Sequence, residues 1–518
     1  MSDSTPHPPH HGLSEAGEVV KRAVEEPARY GLRHWSGWIL GPGALLVTLL
    51  LPPPEGLSVE GWRTAGVALF MAVLWICESV PIPVTALSPL VLFPALGLGN
   101  IQQTTAPYSS PIIYLFLGGF LIAIAMQRWN LHRRLAISLI AVMGSRPTRI
   151  VAGFLLASAV VSMWVSNTAT ALMMLPIALS VVQVLPAHTP KLPSFSAALL
   201  LAVAYGATTG GMATLIGTPP NALLAAYVNK VYGITIGFGQ WMLIGVPIVL
   251  VTLPVVWLVL TRVSFRLDHA EIPGMTALIQ TEKAKLGQWS RGEQLVLVVF
   301  VLTALGWIFQ PWLMAHVPLL TDTSIAMIGG LLLFVLPVNL RRGEFVMNWE
   351  ATKSLPWDVL VLFGGGLSLA GNIEKHGLSR YLGDLCSGLQ GVPMILILAL
   401  VCFGILMLTE LTSNTATAAT FLPIAAALAL SLGQNPLLFL IPCALGANCS
   451  YMMPVGTPPN AIVFGSGKVP LPQMAAAGMW LNVALVPIIL GLVWILAPLV
   501  FDLQIDVVPE WARNLGRG

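Results

Sequence analysis

Two short words rich in hydroxyl and amide groups each occur twice in this chain. Ser-Asn-Thr stands at Ser166-Asn167-Thr168 and again at Ser413-Asn414-Thr415, and Gly-Thr-Pro-Pro-Asn stands at 217–221 and again at 456–460. Ser and Thr hydroxyls and the Asn carboxamide can donate to carboxylate oxygens, and their own oxygens accept hydrogen bonds or ligate hard cations. The second word acts through the backbone: proline lacks an N–H and pushes the residue before it out of the helical region, so the helix breaks there. A break inside an apolar segment frees carbonyls on one side, which suit Na⁺, and starts a new helix on the other, whose N–H groups attract anions. The chemistry written here is non-covalent recognition of a small anion together with a cation.

The surrounding sequence decides how such words are held. Of 518 residues, 56% are hydrophobic and only 9% charged, with a mean hydropathy of +0.82; this composition belongs to a polytopic membrane protein. About a dozen apolar stretches approach the ~20 residues that a helix needs to cross the hydrocarbon layer, and no alternating strand pattern supports a barrel, so the expected class is all-α. The net charge of +3 is too small to indicate nucleic acid as a partner, and lipid head groups and topology explain basic residues in loops. The five cysteines, Cys77, Cys386, Cys402, Cys443 and Cys449, form no CxxC pair and read as small packing residues. The first ~35 residues contain no apolar core of a signal peptide. Their His-rich start reads as a flexible tail, and Glu15–Trp35 as a surface amphipathic helix.

The chain is internally duplicated. At a constant spacing of 247, Gly118-Gly119 falls on Gly365-Gly366, Arg133 on Arg380, Ser166-Asn167-Thr168 on Ser413-Asn414-Thr415 and Pro176 on Pro423; the Gly-Thr-Pro-Pro words repeat at a spacing of 239. After the first glycine pair come Arg128, Arg133, Arg134, Arg146 and Arg149, whereas after the second come only Lys375 and Arg380. The positive-inside rule puts the first group in the cytoplasm and leaves the second free to lie outside, which favours inverted repeats with the N-terminus cytoplasmic. Inverted symmetry that brings the words together at the bilayer midplane would set Asn167 and Asn414 across a small ligand bearing two anionic ends.

A single Ser-Asn-Thr inside a membrane more often stitches helices together than binds anything. Four helix-interrupting words in symmetric places favour a cavity, because unpaired backbone is tolerated in hydrocarbon only where it is buried in protein or lines a wet space. The segments Val151–Leu185, Tyr205–Asn229, Val401–Leu432 and Ala444–Gly467 contain no Lys, Arg or His. Bound cations must then neutralise a dianion there, which favours sodium coupling. Glu410, opposite Met163 in the first repeat, either ligates a cation or organises backbone amides at the tip; Glu78, beside two prolines, reads as a contact to a helix end.

From about residue 55 to 500 the chain resembles the divalent anion/sodium symporter family (solute carrier family 13, the INDY-like transporters). The resemblance rests on "WICESVPIPVTALSPLVLFP", "FLGGFLIAIAMQRWNLHRRLA", "SMWVSNTAT", "IGTPPNA", "FGGGL", "ELTSNTAT" and "PVGTPPNAIVFGSG". It implies about eleven transmembrane helices plus two re-entrant hairpins in inverted repeats, divided into scaffold and transport domains that work as an elevator, and a homodimer in the plasma (inner) membrane. The expected organisation is an N-terminal tail and amphipathic helix (1–36), a first half (37–265, hairpin 107–131), a cytoplasmic connector (266–294), a second half (295–501, hairpin 356–390) and a C-terminal tail (502–518). The resemblance further implies one Na⁺ site at Ser162, Ser166, Asn167 and Gly217 and a second at Thr409, Thr412, Asn414 and Gly456. It implies substrate contacts from Ser166, Asn167, Thr168, Thr218, Pro219, Ser413, Asn414, Thr415, Thr457 and Pro458.

The expected function is sodium-coupled import of C4-dicarboxylates such as succinate, malate and fumarate, with no catalytic residues and no organic cofactor. A sodium-independent dicarboxylate or citrate exchanger, a sulfate or tricarboxylate symporter of the same fold, and a sodium/proton antiporter remain alternatives. An intramembrane enzyme is disfavoured, because no Ser/His, paired-Asp or metal-ligand constellation occurs within the spans.

Overall fold

The computed structural model describes residues 31–184, 192–267, 272, 274–385, 388, 391–505 and 507–513. The first part of the chain forms α1 (Leu32–Leu50), α2 (Val59–Cys77), α3 (Ile82–Leu87), α4 (Pro89–Ala95), α5 (Ile101–Thr105), α6 (Pro111–Arg128) and α7 (Leu131–Met143). Next come α8 (Pro147–Ser162), α9 (Asn167–Val184), α10 (Leu192–Gly211), α11 (Pro219–Tyr232), α12 (Phe238–Leu258) and, in the connector, α13 (Met275–Lys285). The second part begins with α14 (Arg291–Ile308), α15 (Gln310–His316), α16 (Asp322–Val335) and a small antiparallel pair, β1 (Pro337–Asn339) and β2 (Glu344–Phe345). It ends with α17 (Trp357–Lys375), α18 (Leu378–Leu385), α19 (Met394–Thr409), α20 (Asn414–Ser431), α21 (Leu437–Asn448), α22 (Pro458–Gly465), α23 (Leu471–Phe501) and α24 (Glu510–Arg513). Among the described residues, seven helices are long and apolar enough to cross a membrane, and shorter apolar helices flank the interruptions. The protein is an all-helical polytopic membrane protein.

Local chemistry sets many of the ends. Ser58 accepts from the Gly61 amide to cap α2, and Ser290 with Glu293 forms a reciprocal capping box at the start of α14. Glu78 ends α2 in the left-handed region (φ 50°) and pairs with Arg33 at 3.1 Å, while Arg33 also donates to the Ile76 carbonyl, so these charges serve a helix end. Arg134 is buried and donates to Glu293 at 2.8 Å and to the carbonyls of Leu286, Gly287 and Gln288, which locks α7 to the beginning of α14. Prolines open α6, α8, α11 and α22 within their first turn, where a missing N–H costs nothing.

The equivalent helices α6 and α17 run in opposite directions. At the end of α6, Arg128 donates to Asn348 Oδ1 (2.7 Å) and Trp129 Nε1 to the Val346 carbonyl (2.8 Å), residues that lead into α17. At the other end, Ser368 in the second half of α17 donates to the carbonyl of Thr104, which leads into α6 (3.2 Å). The start of α8 lies with the connector at the Arg128 end of the molecule, through Ile272 N donating to the Ser145 carbonyl.

The hairpins expected at 107–131 and 356–390 are not what those residues form. Residues 111–128 are one unbroken helix, and 357–375 another, each followed by a turn into a short helix (α7 and α18). The glycine pairs at their centres serve close packing: a Cβ at Gly118 would lie 2.5 Å from the Ala326 carbonyl, and one at Gly365 would collide with the backbone of Ala86. Helix–tip–helix pairs form instead around the Ser-Asn-Thr words, as α8–α9 and α19–α20. These pairs pack with α10–α11 and α21–α22 into one body. Its centre is stitched by buried Tyr205, whose hydroxyl donates to the Tyr451 carbonyl (2.8 Å), and by Thr209 with the Tyr451 hydroxyl (2.9 Å). Cys402, Cys443 and Cys449 are buried in this body. The amphipathic stretch read at Glu15–Trp35 lies almost wholly outside the described residues.

Candidate functional site

Each Ser-Asn-Thr word occupies the junction of two helices. Asn167 and Asn414 begin α9 and α20, and four residues separate each from the helix before it. Each Gly-Thr-Pro-Pro word likewise joins two half-helices: Thr218 and Thr457 sit in extended conformation (φ −151° and −152°) immediately before α11 and α22. The two kinds of interruption are pressed together within each repeat. Ser162 Oγ donates to Asn167 Oδ1 at 2.6 Å, and the Asn167 amide and the Gly217 carbonyl both crowd the place a Cβ on Gly211 would take. In the second repeat Thr409 Oγ1 and Asn414 meet at 2.7 Å, and the Ala447 and Gly456 carbonyls stand 3.3 and 3.2 Å from the same atom of the amide.

That cluster around Asn414 is an all-acceptor shell. An amide NH₂ turned toward Thr409 Oγ1, Ala447 O and Gly456 O has two N–H groups to share among these three acceptors; the amide oxygen turned the same way completes a four-oxygen cage suited to a small hard cation. Glycine is required at both breaks by close approach. A Cβ on Gly217 would overlap the Gly211 carbonyl, and one on Gly456 would overlap Ser450 Oγ and stand within 3.0 Å of the Thr409 and Glu410 carbonyls.

The two halves adjoin through Asn448, which the sequence reading did not single out. Its Oδ1 accepts from Thr218 Oγ1 (2.8 Å), its Nδ2 donates to Asn221 Oδ1 (2.8 Å), and its carbonyl lies 3.5 Å from Asn414. Asn221, in turn, donates to the carbonyls of Gly211, Met212 and Thr214, the groups the first break leaves without helical partners. Asn460 does the same for Ser450 and Met453 in the second. The last residue of the repeated Gly-Thr-Pro-Pro-Asn word therefore ties off its own break, a role that repetition alone could have flagged; Asn448 carried no repeat signal.

Of the expected substrate residues, Ser413, Thr168 and Thr415 are half-buried at the tips with hydroxyls that make no hydrogen bond among the described residues, so they are available to a ligand. Ser166 is exposed and accepts from Ala169 N (3.3 Å). Pro219 is half-buried and Pro458 exposed at the first positions of α11 and α22, while Thr457 is buried. Thr218 and Thr412 are otherwise engaged. Thr218 is buried with its hydroxyl on Asn448, and the Thr412 hydroxyl bonds the Leu408 carbonyl (2.9 Å) and Thr417 (2.7 Å), leaving only backbone to offer a cation.

Glu410 is saturated. Its carboxylate accepts from the amides of Tyr451 (2.8 Å), Met452 (2.9 Å) and Met453 (3.0 Å), from Ser450 Oγ (3.2 Å) and from Asn482 Nδ2 (2.7 Å). It organises backbone amides, as one of the two sequence readings held, but those of the facing break rather than of its own tip. Five donors stabilise the charge with no protein cation present.

Paired helix tips and paired helix breaks that adjoin through Asn448, lined by hydroxyls, amides and free carbonyls, are the arrangement of a secondary transporter. A profile described as the sodium:sulfate symporter transmembrane region matches residues 33–501, and the chain belongs to that family of transporters; it is not an enzyme. The chain is 41% identical over 491 residues to the sodium-dependent dicarboxylate transporter SdcS of Staphylococcus saprophyticus, covering 93% of this chain and 95% of that one. It is 42% identical over 480 residues to the protein of the same name from Staphylococcus aureus, covering 91% and 92%. Among solved structures it shares its fold with MtrF of Neisseria gonorrhoeae (TM-score 0.56, 13% identity, 96% of this chain and 100% of that one). The YdaH transporter of Alcanivorax borkumensis is similar to the same degree (TM-score 0.55, 15% identity, 84% and 99%).

Proposed function

We propose that this protein is a sodium-coupled symporter that imports C4-dicarboxylates such as succinate, malate and fumarate across the plasma (inner) membrane. The carrying observation is the twofold pairing of a Ser-Asn-Thr tip with a Gly-Thr-Pro-Pro break, each pair gathering an Asn amide, a hydroxyl and backbone carbonyls where no Lys, Arg or His stands. Na⁺ binds first at the two oxygen-rich clusters, around Ser162, Ser166, Asn167 and Gly217 and around Thr409, Thr412, Asn414 and Gly456. Its positive potential then admits the dianion to the free hydroxyls of Thr168, Ser413 and Thr415, with Pro219, Pro458 and the paired asparagines beside it. Without Na⁺ the carboxylates lack charge partners and affinity falls steeply.

The body containing α8–α11 and α19–α22 is the transport domain, with α8–α9 and α19–α20 as re-entrant hairpins, and it moves as an elevator against a scaffold that forms a homodimer. The opposed directions of α6 and α17 support inverted repeats. The relatives' description as sodium-dependent dicarboxylate transporters supports sodium and dicarboxylate as the cargo. The family's description also names sulfate, so a competition panel of sulfate and citrate against succinate belongs with the main test. That test is uptake of labelled succinate into proteoliposomes: an inward Na⁺ gradient drives accumulation, and uptake that persists unchanged with K⁺ or choline in place of Na⁺ would sink the coupling.

A further inference from the structure

Positions 247 apart invite a comparison outside the central site. Arg128 and Lys375 are the last residues of α6 and α17, and Arg133 and Arg380 are the third residues of α7 and α18. In the first repeat both cations are held, Arg128 on Asn348 and Arg133 on Glu282 at 3.2 Å. In the second repeat neither Lys375 nor Arg380 makes a hydrogen bond or ion pair among the described residues, Arg380 interacting with Glu374 only through the field of its charge, and both are exposed. They line a cavity of about 770 Å³ together with Lys230, the basic residue in the last turn of α11, which is also unpaired. A smaller adjoining space of about 210 Å³ shares Lys230 and Lys375 and includes Asn372, whose Oδ1 is buried without a partner. Two acids also line the larger cavity: Glu374, which accepts from Ser379, and Asp384.

We propose that this cavity between the ends of α11, α17, α18 and α20 is an outer capture site for the transported dianion, with Lys230, Lys375 and Arg380 as its cationic groups. The proposal rests on the dicarboxylate reading above. Its side of the membrane follows from the opposed directions of α6 and α17: the Lys375 end lies away from the arginine-rich end, and so outside. Lys230 rides on the half-helix that the first Gly-Thr-Pro-Pro word begins, whereas Lys375 and Arg380 sit on the helix pair next to it. Unpaired cations in a concave wall raise the local concentration of anions and speed their arrival. The central site has no cation of its own and gains most from such help. Of the three, Lys230 and Lys375 lie in the last turns of α11 and α17, where the helix dipole alone gives each a reason to be, whereas Arg380, near the start of α18, has none.

Two measurements test this. The first compares sodium-driven succinate uptake by wild type, the Lys375→Gln/Arg380→Gln double variant and Lys353→Gln, a control whose lysine pairs with Glu350 away from the cavity. Salt is set at about 20 mM and about 300 mM, where the screening length falls from about 20 Å to about 6 Å. The double variant should raise KM about threefold to tenfold at low salt, far more than it lowers the maximal rate, and the difference from wild type should vanish at high salt. Equal KM values at low salt overturn the proposal.

The second measurement needs no transport. Gly371 lines both cavities, and a Cβ there would meet only Lys230 Cε at 3.4 Å, so Gly371→Cys fits. Read against wild-type background in Na⁺-free buffer, this thiol should react faster with an anionic than with a cationic methanethiosulfonate, and millimolar succinate should slow the reaction. Adding the two Gln substitutions should abolish both effects. No anion preference in Gly371→Cys overturns the capture site. Anion preference with succinate protection in a protein that fails to transport dicarboxylate overturns the function reading and leaves the capture site standing.

Discussion

The two halves of the binding region solve the same problem with opposite chemistry. In the first repeat the break is pinned to the tip by a hydroxyl: Thr214 Oγ1 donates to the Met163 carbonyl (2.6 Å) and accepts from Gly217 N (3.0 Å). In the second repeat Thr214 is replaced by Met453 and Met163 by Glu410, and the carboxylate gathers three consecutive backbone amides, a serine and an asparagine. The Ser-Asn-Thr and Gly-Thr-Pro-Pro words stayed identical after duplication while their supports diverged. This teaches that the shared function constrains the cage atoms, whereas any donor–acceptor pair that clamps tip to break will do behind them.

The comparison can be broken most directly at the cage. Asn167→Ala and Asn414→Ala each remove the amide on which a cluster converges, and both should reduce sodium-driven succinate uptake to background, a loss of about 100-fold or more, corresponding to about 3 kcal/mol. Normal uptake by either would show that the halves are not equivalent and would refute a two-sided site.

Support residues should separate the halves. Glu410→Gln puts an NH₂ where donors already converge and should cost about 3 kcal/mol of stability, with uptake down by about 10-fold to 100-fold. Thermal unfolding in detergent with and without Na⁺ checks it. A variant as stable and as active as wild type would remove the carboxylate from the explanation. Thr214→Val, in the other half, deletes two neutral hydrogen bonds and should cost about 1–2 kcal/mol by the same assay, with uptake reduced a few-fold. An effect larger than that of Glu410→Gln would reverse the asserted asymmetry.

The smallest effect is expected at Thr412. Its hydroxyl is engaged by Leu408 and Thr417, so Thr412→Val should leave the sodium concentration for half-maximal uptake within about twofold of wild type. A tenfold shift would mean that the hydroxyl turns to ligate Na⁺ during the cycle.

The repeated words proved to be where helices end, because proline and glycine act on the backbone within one or two residues and need no tertiary context to do so. The hairpin spans came from the resemblance and not from local signals, and the glycine pairs inside them, Gly118-Gly119 and Gly365-Gly366, sit in unbroken helices where small residues let Ala326 and Ala86 approach. Nothing in a single sequence distinguishes a glycine that bends a chain from one that admits a neighbour. Glu410 was legible as important, because an acid in an apolar run needs a reason, but its partners lie 40 to 72 residues away.

By itself the sequence determined the membrane class, the duplication, the four interruptions and the absence of Lys, Arg and His from the segments that carry them, since composition, spacing and proline chemistry are local properties. Only the tertiary structure decided that Asn448 joins the two breaks, that Asn221 and Asn460 close the freed carbonyls, that the Thr412 hydroxyl bonds the two helices flanking its tip, and that among the described residues Lys375 and Arg380 make no hydrogen bond or ion pair where Arg128 and Arg133 do. Those facts depend on which distant groups packing brings within about 3 Å, the distance at which a hydrogen bond exists or does not.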